Sequence, residues 1–312
     1  MLELLFGVGR GAETGVQEHE WTRLVEQLKN GDCTPFLGAG ACSGTLPLGE
    51  DLSRQWADRY DYPFRDKTSL AEVTQYATIV EMDAVTVKQR MRSELSGIAP
   101  PDFSAAAQPH ALLARYPISV YLTTNYDNYT TLALQQLGKA PVTKICPWYL
   151  GADRDEITKI PRGFKPSSDE PLVYHLHGSF EQPASLVLTE EDYLEFLITL
   201  TQHHGVRSQS VIPPQVVLAM ARQPLLFVGY SLRDWSFRTL FRGLRRTVAE
   251  VHRRRHVSIQ LAPLSRRHDD EVRSRAEDYL RSYYDKLNIS VYWGSAREFC
   301  EELDRRLQPG DH

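Results

Sequence analysis

Short apolar runs alternate with helix-period segments along this chain, and each of four such runs stops at a glycine or a polar side chain. Residues 34–37 run into Gly38-Ala39-Gly40, 118–123 into Thr124-Asn125-Tyr126-Asp127, 172–176 into His177-Gly178-Ser179, and 225–228 into Gly229-Tyr230-Ser231-Leu232. Helical spacing of apolar residues marks 18–29, 50–60, 69–95, 105–114, 128–137 and 190–221, the last broken at Pro213-Pro214. The tail repeats the alternation, with strands at 257–261 and 289–293 and helices at 269–287 and 296–307. Buried strands separated by helices pair in parallel and carry helices on both faces. The expected fold is therefore α/β: a doubly wound, Rossmann-like parallel sheet with a smaller helical module formed by insertions. One domain is expected over 1–312, with its core at about 18–54, 106–184 and 223–312. The module takes about 55–105 and 185–222, and the polar segment 153–168 reads as a surface loop.

At 312 residues the chain has the length for a substantial core with a small attached module. A formal charge of -4 excludes a globally basic nucleic-acid binder. Cys33, Cys42, Cys146 and Cys300 are scattered and form no C-x-x-C pair, which argues against a zinc ribbon or a disulfide framework and fits a reducing, cytosolic setting. No apolar stretch approaches a membrane span, and 1–6 is too short for the apolar core of a signal peptide. The glycine-rich 7–15 reads as a tail.

In open α/β sheets ligands bind beyond the carboxyl ends of the strands, which is where the polar residues of this chain gather. Gly38-Ala39-Gly40 between a strand and a helix suits close approach of backbone amides to a phosphate, or simply a tight turn. It is not the dehydrogenase fingerprint G-x-G-x-x-G, because Gly44 falls one position late. Asn125 and Asp127 fit either a site or a helix cap for 128–137. His175 and His177 alternate with Leu176, placing both on one face of a strand, and His177 is positioned to present a base to a cleft.

Taken in order, G-A-G, T-T-N-Y-D, H-G-S and G-Y-S-L resemble the sirtuin family, and more closely its divergent prokaryotic branch that consumes NAD in antiviral defence. The resemblance runs from about Phe36 to Leu232. It implies that Gly38, Ala39 and Gly40 hold the NAD pyrophosphate, and that Asn125 faces the nicotinamide ribose and a water. Asp127 anchors the carboxamide, His177 is the general base, and Ser231 contacts the adenosine half. Cys42, Ser43, Thr124, Gly229 and Leu232 complete the cofactor contacts, and no metal is expected. Protein-deacylating sirtuins carry two C-x-x-C zinc pairs, a serine where this chain has Cys42, and an I-P-D-F-R segment replaced here by Leu46-Pro47-Leu48-Gly49. Without those features, water rather than an acyl-lysine is the expected acceptor.

The resemblance thus implies an NAD hydrolase that releases nicotinamide and ADP-ribose as the NAD-depleting effector of an anti-phage system, with NAD as substrate and no zinc. The alternatives are an NAD-dependent deacylase or ADP-ribosyl transferase, and a non-catalytic NAD or ADP-ribose sensor. It also implies self-association and a HerA-type ATPase or other phage-sensing activator. The basic stretch from Arg242 to His256 suits a solvated helix end, with a subunit or nucleic-acid contact as the second reading.

Overall fold

Seven short strands run parallel in one sheet: β1 (Thr34–Leu37), β2 (Val120–Thr123), β3 (Val142–Ile145), β4 (Leu172–His175), β5 (Leu225–Val228), β6 (His256–Gln260) and β7 (Ile289–Trp293). Their spatial order is β3-β4-β2-β1-β5-β6-β7 in the computed structural model, which describes residues 15–149, 157–202, 211–229, 241, 255–260 and 270–308. Ten helices accompany them among the described residues: α1 (Glu18–Asn30), α2 (Gly49–Arg59), α3 (Leu70–Glu81), α4 (Ala84–Ser96), α5 (Pro109–Ala114), α6 (Tyr129–Gln136), α7 (Glu190–Gln202), α8 (Pro214–Arg222), α9 (Asp270–Asp285) and α10 (Ala296–Leu307).

The period of two along each strand sorts its side chains between two cores. Phe36, Leu122, Leu172, Tyr174, Leu225, Phe227 and Val291 face one cluster, which is completed by Phe196 of α7 and by Val216 and Ala219 of α8. Leu37, Tyr121, Val173, Leu226, Val228 and Tyr292 face the other, completed by Trp21 and Leu24 of α1, Leu112 of α5, Leu134 of α6 and Phe299 of α10. The expected doubly wound α/β architecture follows directly, since both faces of every central strand are apolar.

A third cluster joins α2, α3 and α4 through Leu52, Trp56, Val73, Ala77, Val87 and Met91, with Leu186 and Leu188 from the segment before α7. Lys88 of α4 pairs with Asp192 of α7 at 2.7 Å, and Thr74 Oγ1 donates to the Leu188 carbonyl at 3.0 Å. Helices α2, α3 and α4 thus pack on one another, whereas α7 through Phe196 and α8 pack on the sheet.

Several boundaries differ from the sequence reading. The segment 69–95 is two helices, because Met82 adopts a left-handed conformation (φ 54°) and Asp83 caps α4 through its bond from Val85 N. The helix expected over 105–114 begins only at Pro109, where Gln108 accepts from Ala111 N at 2.7 Å. Strand β3 has no counterpart in the sequence reading.

Three adjacent pairings put the site together. Leu37 lies level with both Thr123 and Val228, and Thr123 lies level with His175. Strands β1, β2, β4 and β5 therefore end side by side. The chain order reverses at β1, which has β2 on one side and β5 on the other, and that reversal opens a crevice at the carboxyl ends.

Candidate active site

Glycines make the floor of the crevice. A Cβ on Gly40 would lie 2.7 Å from Gly229 Cα, and a Cβ on Gly229 would lie 2.6 Å from Gly40 Cα, so neither position has room for a side chain. Gly40 N donates to the Gly229 carbonyl at 2.8 Å and Gly38 N to the Val228 carbonyl at 3.0 Å. The amides of Gly38 and Gly40 thus fasten the loop after β1 to the loop after β5. Ala39 opens a 3-10 turn (Ala39–Cys42), where an N–H has no carbonyl behind it within the turn, and it is exposed beside exposed Ser43.

The loop after β2 crosses to meet this floor. Thr124 N donates to the Leu37 carbonyl at 3.0 Å, and Asn125 N donates to Thr123 Oγ1 at 2.9 Å. Asn125 Nδ2 then donates to the Gly38 carbonyl at 3.1 Å and to Cys42 Sγ at 3.2 Å. Both amide hydrogens are committed, so what Asn125 has to offer a ligand is its Oδ1 acceptor. Asp127 Oδ1 accepts from Tyr129 N at 2.9 Å and its Oδ2 accepts from the Cys42 thiol at 3.3 Å. The helix-start role therefore belongs to Asp127, while Asn128 makes no side-chain cap. A carboxylate accepts about four hydrogen bonds, so Asp127 retains capacity for an amide N–H.

Burial pushes the Cys42 thiol well above its ordinary value of 9.0, and the Asp127 charge and hydrogen bond push it further. Cys42 accordingly serves as a neutral donor rather than a thiolate nucleophile. The serine-to-cysteine departure noted in the sequence thus preserves a hydrogen-bond donor in this spot.

His177 lies two residues beyond β4, past the end of the regular pleat. Its ring stands edge-on to Phe196 (5.0 Å) and Tyr193 (5.4 Å) of α7, on the face that Tyr174 and Leu176 occupy. The alternation that would put His175 and His177 together does not extend past Leu176. The His177 carbonyl accepts from Val187 N at 2.9 Å, and Gly178 turns sharply with φ 88° against the backbone of Ser185. These contacts hold His177 at the strand end, one strand over from Asn125.

Three residues that the sequence left out of the site complete it. His175 Nδ1 lies 3.1 Å from the Asn125 carbonyl, an acceptor only, so His175 carries its proton there and fixes the Asn125 backbone. Burial lowers its pKa below 6.5, keeping the ring neutral. His110 Nε2 lies 4.0 Å from Cys42 Sγ, and Gln108 Nε2 lies 2.9 Å from His110 Nδ1. The Pro at the start of α5 and the position of Gln108 as its cap were readable; no spacing ties residue 110 to 42 or 127.

The remaining predicted contacts divide cleanly. Gly38, Ala39, Gly40, Cys42, Ser43, Thr124, Asn125, Asp127 and Gly229 gather at the crevice, with His177 on its β4 side. Tyr230, Ser231, Leu232 and the basic residues from Arg242 to Arg254 lie outside the described residues. Two later members of that stretch have structural partners: Arg255 bonds Asp285 at 2.8 Å and Glu20 at 2.9 Å, and His256 Nδ1 accepts from Leu225 N at 2.9 Å.

The family model described as the SIR2-like domain matches residues 119–292, more than half of the chain. A protein of Cytobacillus dafuensis called NAD(+) hydrolase ThsA is 28% identical over 216 residues, covering 68% of this chain and 37% of that protein. The protein of the same name from Acinetobacter baumannii (strain 532279) is 21% identical over 298 residues, covering 92% of this chain and 56% of that protein. The chain thus spans about two fifths to just over half of these relatives. A solved structure titled "Structural Basis for the Mechanism and Regulation of Sir2 Enzymes" aligns at 13% identity and a TM-score of 0.40, covering 93% of this chain and 98% of that one.

Proposed function

The chain belongs to the family of SIR2-like domains, and from that premise we propose that it hydrolyses NAD at the bond between nicotinamide and ribose, releasing nicotinamide and ADP-ribose. The observation that carries this reading is the meeting of Asn125, Asp127 and Cys42 above the Gly40–Gly229 contact, at the reversal point of the sheet. The names of the relatives, NAD(+) hydrolase, support the same reaction.

Nicotinamide departs as a neutral base from a cationic ground state, so no general acid is needed. Positive charge grows on the ribose, and the site has to fix geometry and present a nucleophile. Asp127 accepts the carboxamide N–H with its remaining lone pairs. Asn125 Oδ1 accepts from a ribose hydroxyl or the attacking water, held rigidly because both Nδ2 hydrogens are tied down. His177 takes the proton from water, a contribution of about 10² to 10⁴-fold for a well-placed general base. Ala39 N–H and exposed Ser43 serve the pyrophosphate, since the Gly38 and Gly40 amides are engaged with β5.

The protein acts in the cytosol as the NAD-depleting effector of an anti-phage system, assembled with further copies and released by a HerA-type ATPase or another sensing partner. Among the described residues no helix is long and apolar enough to cross a membrane. The deciding experiment measures NAD loss and product identity with the purified protein, with and without the neighbouring gene product. Free ADP-ribose without an added acceptor is the expected product, and Asn125→Ala or His177→Ala abolishes it while the fold persists. Wild-type turnover by His177→Ala removes its assigned role. Transfer of ADP-ribose to a protein, or tight NAD binding with no turnover in the activated complex, replaces the hydrolase by a transferase or a sensor.

A further inference from the structure

His110, Cys42 and Asp127 are all buried, and their donor atoms lie within 4.8 Å of one another. Such a cluster invites a metal ion or a Cys–His nucleophile, and the hydrogen bonds around it argue against both. Gln108 Oε1 accepts from Ala111 N at 2.7 Å, which fixes which end of its amide is oxygen. The other end, Nε2, faces His110 Nδ1 at 2.9 Å and can only donate. His110 Nδ1 is therefore the acceptor, and the proton of the neutral ring sits on Nε2, the nitrogen turned toward Cys42 and Asp127. That nitrogen has no lone pair for a cation, and it cannot take a proton from the Cys42 thiol. The thiol hydrogen is in any case already given to Asp127.

We infer that His110, its tautomer set by the Gln108 amide, is a positioning residue that holds Asp127 as an oriented carboxylate at the nicotinamide end of the site. Its Nε2–H faces the Cys42 sulfur at 4.0 Å, and it is the hydrogen of that sulfur that bonds Asp127. Tyr129 N–H and the Cys42 S–H already fix the two carboxylate oxygens. With Tyr129 N–H and the Cys42 S–H on its two oxygens, and the His110 N–H steadying the Cys42 sulfur, the carboxylate stays an acceptor toward the ligand. An acceptor at this point takes a carboxamide N–H and repels a carboxylate, so the site takes NAD and rejects its nicotinic acid analogue. The assignment of that ligand rests on the proposed NAD hydrolysis; the tautomer does not.

Two measurements keep those apart. Imidazole ¹⁵N spectra of the full chain, with the His110 signals identified by their loss in His110→Gln, are expected to show a neutral Nε2–H ring at pH 7. An Nδ1–H ring overturns the inference whatever the protein does to NAD. The second measurement compares His110→Leu, which fills the volume without a donor, with His110→Gln, which restores one near Nε2. His110→Leu is expected to weaken nicotinamide binding and raise KM for NAD about tenfold with a smaller change in kcat, as for one lost hydrogen bond. It is also expected to narrow the preference for NAD over the nicotinic acid analogue. ADP-ribose, which lacks the pyridine ring, keeps its affinity within about twofold, and His110→Gln recovers nicotinamide binding to within about threefold. A parallel fall in ADP-ribose affinity makes His110 merely structural, and unchanged nicotinamide binding removes its role. Failure of the wild type to bind either ligand, with the Nε2–H ring intact, refutes the NAD reading and with it the assignment of the ligand.

Discussion

Replacing Gly229 by alanine tests the join on which the crevice depends. The residue has φ 68°, in the left-handed region, and its Cβ would press on the Ala41 amide, the Gly40 carbonyl carbon and Gly40 Cα. Every one of those atoms is backbone, so no rotamer change relieves the overlap. The left-handed conformation alone costs about 1–2 kcal/mol for a residue with a side chain. Separating the loops also lengthens the bonds from Gly40 N to the Gly229 carbonyl and from Gly38 N to the Val228 carbonyl, each a buried pair whose loss costs about 1–3 kcal/mol. The expected destabilisation is about 3–5 kcal/mol, after the small gain from a stiffer unfolded chain. Gly44 is the matched control: φ is 86°, but a Cβ there meets nothing within 4 Å. Gly44→Ala should therefore cost only the backbone term, about 1 kcal/mol. Urea unfolding of both variants, with unchanged m-values, separates the two costs. A difference below about 1 kcal/mol between them would mean that the loops after β1 and β5 do not press together, and the argument that these glycines serve packing would fail.

Stability should fall on both sides of a plateau in pH. Burial lowers His110 and His175 below 6.5, so below that pH the unfolded chain takes up protons that the fold refuses; burial raises Cys33 and Cys300 from 9.0 to about 12, so above pH 9 the unfolded chain loses protons that the fold retains. Chemical denaturation from pH 5 to 10 checks this, and a stability that keeps rising above pH 9 refutes the alkaline limb. Asp192→Ala leaves Lys88 unpaired with its side chain 10% exposed, and removes the acceptor for Leu188 N and Thr189 N. It should cost about 3–5 kcal/mol, whereas the double replacement Lys88→Met with Asp192→Asn should cost less, read from urea midpoints.

The central strands were legible because burial on both sheet faces leaves unbroken apolar runs, as in Leu225-Leu226-Phe227-Val228. Strand β3 was not, because Val142-Thr143-Lys144-Ile145 sits at the sheet edge and buries only its last residue. An edge strand needs no second apolar face, so its composition resembles a loop. The break between α3 and α4 rests on Met82, whose residue type does not announce a left-handed conformation; Asp83 as a cap was the readable half of that signal. In the site, Asn125 and Asp127 stood out by ending an apolar run. His110 and Gln108 did not, because His110 meets Cys42 from 68 residues away and Gln108 reaches His110 only by way of a helix cap. Sequence pattern reports faces and ends of elements. It does not report which side chain meets another across a crevice.

Asn125 shows why function and stability are entangled at this point. Its two Nδ2 bonds reach the Gly38 carbonyl and Cys42, so the side chain that presents Oδ1 to a ligand also ties the β2 loop to the β1 loop. His175 holds the same residue from beneath, through its backbone carbonyl. A truncation to alanine therefore removes an acceptor from the ligand and two donors from the scaffold together, and lost turnover alone does not say which mattered. Asn125→Asp separates them in one direction: the shape and the acceptor remain, while both donors vanish beside the Asp127 charge. If rigidity of the loop is what Asn125 supplies, the aspartate variant should be as inactive as the alanine variant and less stable. If the acceptor alone suffices, the aspartate variant should retain turnover, and the crossed loops would be scaffold only.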